Sequence, residues 1–274
     1  MKKYYKQDYK GAVEEYTASI KMNPKVAKAY LSREIAKYYL QDYEGSIADQ
    51  KKALEINQNY ADAYFNIGDC KYNLQDYDGA IVEYTKVLEI NPKDAMALIC
   101  RGLTKQYIKD YKGAVSDFTQ TIKVMPKLPD TYIYRGVAKT YLENYNEAVE
   151  DFTKSIKIQP LSDAYFYRGN VWDAQKNFKA AIKDYYRALE INPKHYRAYH
   201  NRGVTKIKLN ENKSAIDDLS KAIALNVHYG DAYHNRGVAK INLGQKENAC
   251  QDLKKAEELG QNKAKSLIKT NCEL

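Results

Sequence analysis

The chain has 274 residues, with 44 Lys and Arg against 35 Asp and Glu and a formal net charge of +9. Mean hydropathy is −0.70, and there is no apolar run of about 18 residues, which excludes a membrane-spanning helix. Charges of both signs are interspersed rather than blocked, which excludes a disordered polyelectrolyte and weakens any reading of the basic excess as a phosphate-binding stripe.

The N-terminal stretch Lys3-Tyr4-Tyr5-Lys6-Gln7-Asp8-Tyr9-Lys10-Gly11 closely repeats Lys37-Tyr38-Tyr39-Leu40-Gln41-Asp42-Tyr43-Glu44-Gly45. Residue 1 therefore falls in the middle of a helix, and residues 1–26 form a half hairpin completed by Ala12, Tyr16 and Pro24. Two readings stand side by side, a missing upstream portion and a half-repeat cap. Seven full units follow, at 27–60, 61–94, 95–128, 129–161, 162–195, 196–229 and 230–263, and residues 264–274 suit a capping helix with Leu267 and Ile268 on its apolar face. The register is set by Gly68, Gly102 and Gly136, spaced by 34 residues, then Gly169 after 33, then Gly203 and Gly237 at 34 again. A fixed period of this length means one small unit copied and stacked. Within a copy, apolar residues recur at three- and four-residue steps in two segments, the pattern of two amphipathic helices. Unit 27–60 departs most, with Glu34 for Gly, Ser46 for Ala, Gln50 for the aromatic and Gln58 for Pro, and looser packing is expected there.

The stretch from Thr131 to Pro160, with Tyr132, Gly136, Ala148, Phe152 and Pro160 at fixed offsets, resembles a tetratricopeptide repeat, and the likeness covers nearly the whole chain. The resemblance implies an all-α fold, a right-handed α-α superhelix of seven full repeats with an N-terminal partial repeat and a C-terminal capping helix. It also implies a binding surface along the first helix of each unit. The glycine and alanine columns are expected to let paired helices approach closely. The aliphatic column Ile56, Ile90, Val124, Ile158, Ile191, Leu225 and Leu259 is expected to close each hairpin against the next, and Pro92, Pro126, Pro160 and Pro193 to stop the second helix.

One departure from the family pattern carries a structural expectation. Arg33, Arg101, Arg135, Arg168, Arg202 and Arg236 stand before the glycine position, where the family usually has Leu, and sixteen residues after each stands Asp49, Asp117, Asp151, Asp184, Asp218 or Asp252. The spacing predicts an ion pair across the two helices of each hairpin, and planar guanidinium can make it bidentate. Arginines so tied are not free to grip phosphates. The lysine column Lys37, Lys71, Lys105, Lys139, Lys206 and Lys240, with Trp172 in the remaining copy, is expected to lay its stems on apolar surface and its amines in water.

No catalytic signature is present, neither HExxH, GxxxxGK[ST] nor GxSxG, so no catalytic residue, cofactor or metal is expected. His200 and His234 share a column in adjacent units, but no carboxylate or thiol cluster completes a ligand set around them. Cys70, Cys100, Cys250 and Cys272 lack CxxC spacing and are read as free thiols in a reducing compartment. No apolar signal segment follows the first lysines, so a cytoplasmic location is expected.

Carried onto this sequence, the family's groove columns contain Tyr38, Phe65, Asn66, Tyr72, Tyr107, Tyr134, Tyr141, Phe166, Tyr167, Asn170, His200, Asn201, His234 and Asn235. Tyrosine gives contact area at low entropy cost and Asn can pair with an extended backbone, so the expected partner is a peptide or helix of another protein. About half of these rings are expected to serve mainly helix-to-helix packing. The family's carboxylate clamp is incomplete here, because Asp231 and Asn235 stand where Lys and Arg are needed. Two alternatives remain, nucleic-acid binding by tyrosine stacking and lysines, and self-association through the open N-terminal hairpin.

Overall fold

The structure, a computed structural model, describes residues 8–57 and 60–272. Every regular element among the described residues is an α-helix. The chain divides into two compact units, one up to Leu142 and one from Glu143 onward. The first holds α1 (Tyr9–Met22), α2 (Ala27–Tyr39), α3 (Tyr43–Ile56), α4 (Ala61–Asn73), α5 (Tyr77–Ile90), α6 (Ala95–Tyr107), α7 (Tyr111–Val124) and α8 (Pro129–Tyr141). The second holds α9 (Tyr145–Ile158), α10 (Ser162–Ala174), α11 (Phe178–Ile191), α12 (Tyr196–Lys208), α13 (Asn212–Leu225), α14 (Gly230–Asn242), α15 (Lys246–Glu258) and α16 (Lys263–Asn271). Each unit is a stack of helical hairpins, the all-α fold expected. The repeat of Lys3 to Gln7 and the replacement at Gln58 lie outside the described residues.

Short turns join the paired helices. Gln41, Gln75 and Lys109 take left-handed φ values of 62, 63 and 68° after α2, α4 and α6, and Gly244 takes 73° after α14. Asp42, Asp76 and Asp110 then cap α3, α5 and α7, each side chain accepting from the backbone N–H three residues on at 2.9–3.0 Å. At the far end, Pro92, Pro126 and Pro193 stand two residues past the last helical position of α5, α7 and α11.

Close approach within a hairpin explains the glycine column. A Cβ on Gly102 would lie 2.7 Å from Cε1 of Phe118 on the paired helix. Ala80, Ala114, Ala181, Ala215 and Ala249 are completely buried. The expectation for the aliphatic column is corrected. Ile56, Ile90 and Ile191 are 41–46% exposed. Hairpins close instead through the positions two and three residues earlier, with Val87 and Leu88 packed on Ala97 and Leu98, Ala188 and Leu189 on Ala198, and Ala222 and Ile223 on Ala232. Ile56, Ile90 and Ile191 are the last residues of α3, α5 and α11, so they lie at the helix ends, beyond the turn that carries the seam.

Unit 27–60 is not looser in the sense expected. Glu34, Ser46 and Gln50 are all buried. The Glu34 carboxylate accepts from Ser46 Oγ at 3.1 Å, Gln50 Nε2 at 2.8 Å and Asn66 Nδ2 at 2.9 Å. The three replacements compensate one another, a polar network standing where other copies have a ring or a leucine against glycine.

Arg–Asp pairing is present in both units. Nε and Nη2 of Arg33, Arg101, Arg168, Arg202 and Arg236 reach the two carboxylate oxygens of Asp49, Asp117, Asp184, Asp218 and Asp252 at 2.5–3.0 Å. A third donor, Nη1, reaches back to the preceding second helix, from Arg33 to Thr17, Arg101 to Thr85, Arg168 to Thr153 and Arg236 to Ser220, at 2.9–3.0 Å. One guanidinium therefore ties three helices. The lysine expectation is corrected as well. Nζ of Lys37, Lys105, Lys206 and Lys240 lies 2.8 Å from Asp49, Asp117, Asp218 and Asp252, and Lys71 lies 2.9 Å from Glu83. These amines are held by carboxylates rather than by water, and each such aspartate accepts from an Arg and a Lys at once.

The free-thiol reading is corrected for two cysteines. Cys250 on α15 and Cys272 after α16 form a disulfide, with Cα atoms 5.7 Å apart. That pairing removes the support the cysteines gave to a reducing compartment. Cys70 and Cys100 are free, and burial pushes their thiols up to about 11 and about 12. Helix α16 packs Ala264 and Ile268 on Leu253 and Ala256 of α15. No described helix is long and apolar enough to cross a membrane.

Candidate functional site

In the first unit, the expected groove residues lie on α2, α4, α6 and α8, and they fall into two sorts. Phe65 packs on Tyr84 with centroids 5.6 Å apart, and Tyr134 on Phe118 at 5.7 Å. These are largely packing rings. Tyr72, Tyr107 and Tyr141 instead stand at the helix ends. Tyr107 and Tyr141 are 60 and 63% exposed, yet their rings are held, Tyr107 at 4.5 Å from Tyr77 and Tyr141 stacked on Tyr111 at 4.6 Å. Tyr38 sits between Tyr39 and Tyr43, and its hydroxyl accepts from Asn73 Nδ2 at 3.2 Å. The outcome is a row of tyrosines whose positions are fixed by their neighbours while one face stays open.

Two hollows open among these residues. One of 190 Å³ is lined by Glu34, Ile35, Tyr38, Tyr39, Asn66 and Asp69. The other, of 350 Å³, is lined by Tyr38, Asp69, Tyr72, Asn73, Tyr84, Cys100, Leu103 and Thr104. Burial raises the carboxyl pKa of Glu34 and of Asp69 above the ordinary range.

In the second unit, Phe166 is buried against Tyr185 and His195, and Tyr167 stacks on Phe152 at 6.0 Å. The amides and imidazole form a ladder across α10, α12 and α14. Asn235 Nδ2 donates to His200 Nε2 at 2.9 Å, which leaves His200 Nδ1 to donate to Asn201 Oδ1 at 2.9 Å. Asn201 Nδ2 donates to Asn170 Oδ1 at 2.8 Å, and that oxygen also accepts from the Tyr185 hydroxyl at 2.9 Å. Burial lowers the pKa of His200 and of His234, so both rings favour the neutral form. His234 stands apart from the ladder, and its Nδ1 is buried with no hydrogen-bond partner among the described residues. A hollow of 230 Å³ lies along the ladder, and one of 360 Å³ lies beside Asp163, Phe166, Tyr167, His195 and Arg197.

Sequence reasoning missed the two tyrosine hydroxyls that anchor this surface. Tyr84 donates to Asp69 at 2.6 Å as Tyr185 does to Asn170. The signal was in the columns. Where the first helix has Asp69 or Asn170, the residue fifteen later is Tyr; where it has Leu103, Val137, Val204 or Val238, that residue is Phe118, Phe152, Leu219 or Leu253. A hydroxyl occurs only where an acceptor faces it.

Models of the tetratricopeptide repeat match residues 61–94 and 162–195, and a second set matches 129–160, 196–226 and 230–262. Together these make up more than half of the chain. The chain belongs to the tetratricopeptide repeat family. Among solved structures, this tetratricopeptide repeat chain is similar to one from Parabacteroides merdae, with a TM-score of 0.71 and 21% identity over 89% of this chain and 97% of the other. It is also similar to MamA, with a TM-score of 0.55 and 26% identity over 58% of this chain and 94% of that one. A third similar structure is YrrB, described as a repeat protein of this family with an unusual peptide-binding site, with a TM-score of 0.55 and 21% identity over 68% of this chain and 97% of that one. No curated protein matches the chain.

Proposed function

We propose that this tetratricopeptide repeat chain is a non-catalytic interaction scaffold that holds a peptide or helix of another protein against the exposed faces of its first helices. Family membership supports an interaction scaffold in general. The observation that supports the groove reading most strongly is the row of tyrosines in the first unit, held from behind and open in front, with Tyr107 and Tyr141 more than half exposed. Rings immobilised before binding lose little entropy when a partner arrives.

The nucleic-acid alternative loses cations on this structure. Five arginines and four lysines of the repeat columns are committed to buried aspartates, so they do not present charge to a phosphate backbone. Self-association through the N-terminal hairpin concerns a segment that begins outside the described residues.

The test combines capture and mapping. Partners recovered by the intact chain are compared with those recovered by a Tyr107→Ala, Tyr141→Ala variant, and photo-crosslinks from the bound segment are mapped. Loss of a partner in the variant, with crosslinks on the first helices, is the expected result. Equal recovery, or crosslinks confined to second helices, would refute the reading.

A further inference from the structure

The two hollows of the first unit share Tyr38 and Asp69 as a common wall. Their charge runs against that of the chain, which is +9 overall. Among the described residues neither hollow is lined by Lys or Arg, while Glu34 and Asp69 are both carboxylates. Elsewhere in these repeats a buried acid has a cation on it, as at Asp49, Asp117, Asp184, Asp218 and Asp252. Asp69 instead is held by the neutral Tyr84 hydroxyl, and Glu34 by Ser46, Gln50 and Asn66. The lysine nearest in sequence, Lys71, is tied to Glu83 at 2.9 Å. Both carboxyls are desolvated enough for burial to raise their pKa, so a cation brought beside them would recover electrostatic energy that the free chain lacks.

The walls suit such a cation. Tyr38 is fixed through Asn73 and its ring neighbours, and Tyr72 is packed at 5.3 Å from Tyr77. Ring faces attract an ammonium or guanidinium, and the long aliphatic stem of either side chain needs apolar surface beside it. Leu103 supplies that surface in the larger hollow, where the Cys100 thiol, pushed up to about 12, adds no competing charge. We propose that these adjoining hollows receive a lysine or arginine side chain of a bound partner segment, its charge at Asp69 and its stem against Tyr72 and Leu103. This rests on the groove reading above and names the partner chemistry for one part of it, a segment carrying a basic residue.

The experiment titrates the full isotopically labelled chain with N-acetyl-lysine methylamide, and in parallel with N-acetyl-norleucine methylamide, which has the same stem without the charge. Saturable amide shifts at Asn66, Asp69 and Asn73 with the lysine compound alone are expected. In Asp69→Asn, whose side-chain oxygen can still accept from Tyr84, the affinity should fall about tenfold or more, the scale of one lost charge pair. Equal shifts with norleucine, no shifts at these amides, or undiminished affinity in the variant would overturn the proposal. The norleucine comparison on the unmodified chain decides the matter however the variant folds. Should the lysine compound be ignored while partner capture still depends on Tyr107 and Tyr141, the cation pocket falls and the groove reading stands; the converse pattern would remove the groove reading alone.

Discussion

Substituting Asp117 by Ala removes the acceptor of three charged donors at once. Arg101 Nε and Nη2 reach it at 3.0 and 2.6 Å, and Lys105 Nζ at 2.8 Å. Asp117 is 1% exposed, whereas the Arg101 and Lys105 side chains keep 14 and 18% exposure. Without the carboxylate, two cations are left side by side in a largely buried place. Breaking a buried pair by removing one partner costs about 3–5 kcal/mol, and the residual exposure of both cations puts this case near about 3. For a chain of this size that corresponds to a fall of about 6–12 °C in melting temperature. Circular dichroism during heating, with urea unfolding alongside, measures it. The same logic makes a second forecast. Replacing the whole set, Arg101→Leu, Lys105→Met and Asp117→Leu, should recover most of the loss, because it leaves no orphaned charge. Thr85, which Arg101 also contacts, keeps its bond to the Ile81 carbonyl at 2.7 Å. A fall smaller than about 2 °C in Asp117→Ala would refute the reasoning, since the carboxylate would then not be what holds the two cations in place.

Two further outcomes are expected. Burial raises the Glu34 carboxyl pKa in the folded chain, so its contribution to stability is present below the unfolded pKa and is lost as pH rises through the folded one. Glu34→Gln should therefore gain on the unmodified chain in urea midpoint as pH rises above about 4, and parallel curves would count against this. Reducing the Cys250–Cys272 disulfide, which closes a separation of 22 residues, should weaken the last hairpin by about 3 kcal/mol and speed hydrogen exchange in α16. Alkylation of the unfolded, unreduced chain should modify only Cys70 and Cys100, and modification of all four would refute the pairing.

How much of the site was legible follows from where each contact lies in the repeat. The tyrosine row and the amide columns were readable by projection, because every copy presents the same helix face. Which rings are open and which are packed was not. Tyr134 and Tyr107 are both tyrosines on first helices, and their difference comes from the buried Phe118 under one and the tilted Tyr77 and edge-on Tyr72 beside the other at the helix end. The acidic hollows were hidden for a related reason. Glu34 reads as a defect until Ser46, Gln50 and Asn66 are seen to converge on it from three other places in the chain.

By itself the sequence determined the repeating helical pair, the close approach of its two helices at the glycine column, and the Arg–Asp pairing, because each recurs at constant spacing in copy after copy. Contacts at constant spacing inside one hairpin depend only on helix geometry, which residue counting captures. Only the tertiary structure decided that Val87 rather than Ile90 seals one hairpin to the next, that the lysine amines turn back onto aspartate, and that Cys250 meets Cys272. Those outcomes depend on the rotation of one helix against another and on the path of long side chains. A shift of less than one helical turn exchanges a buried position for an exposed one without altering the spacing in the sequence.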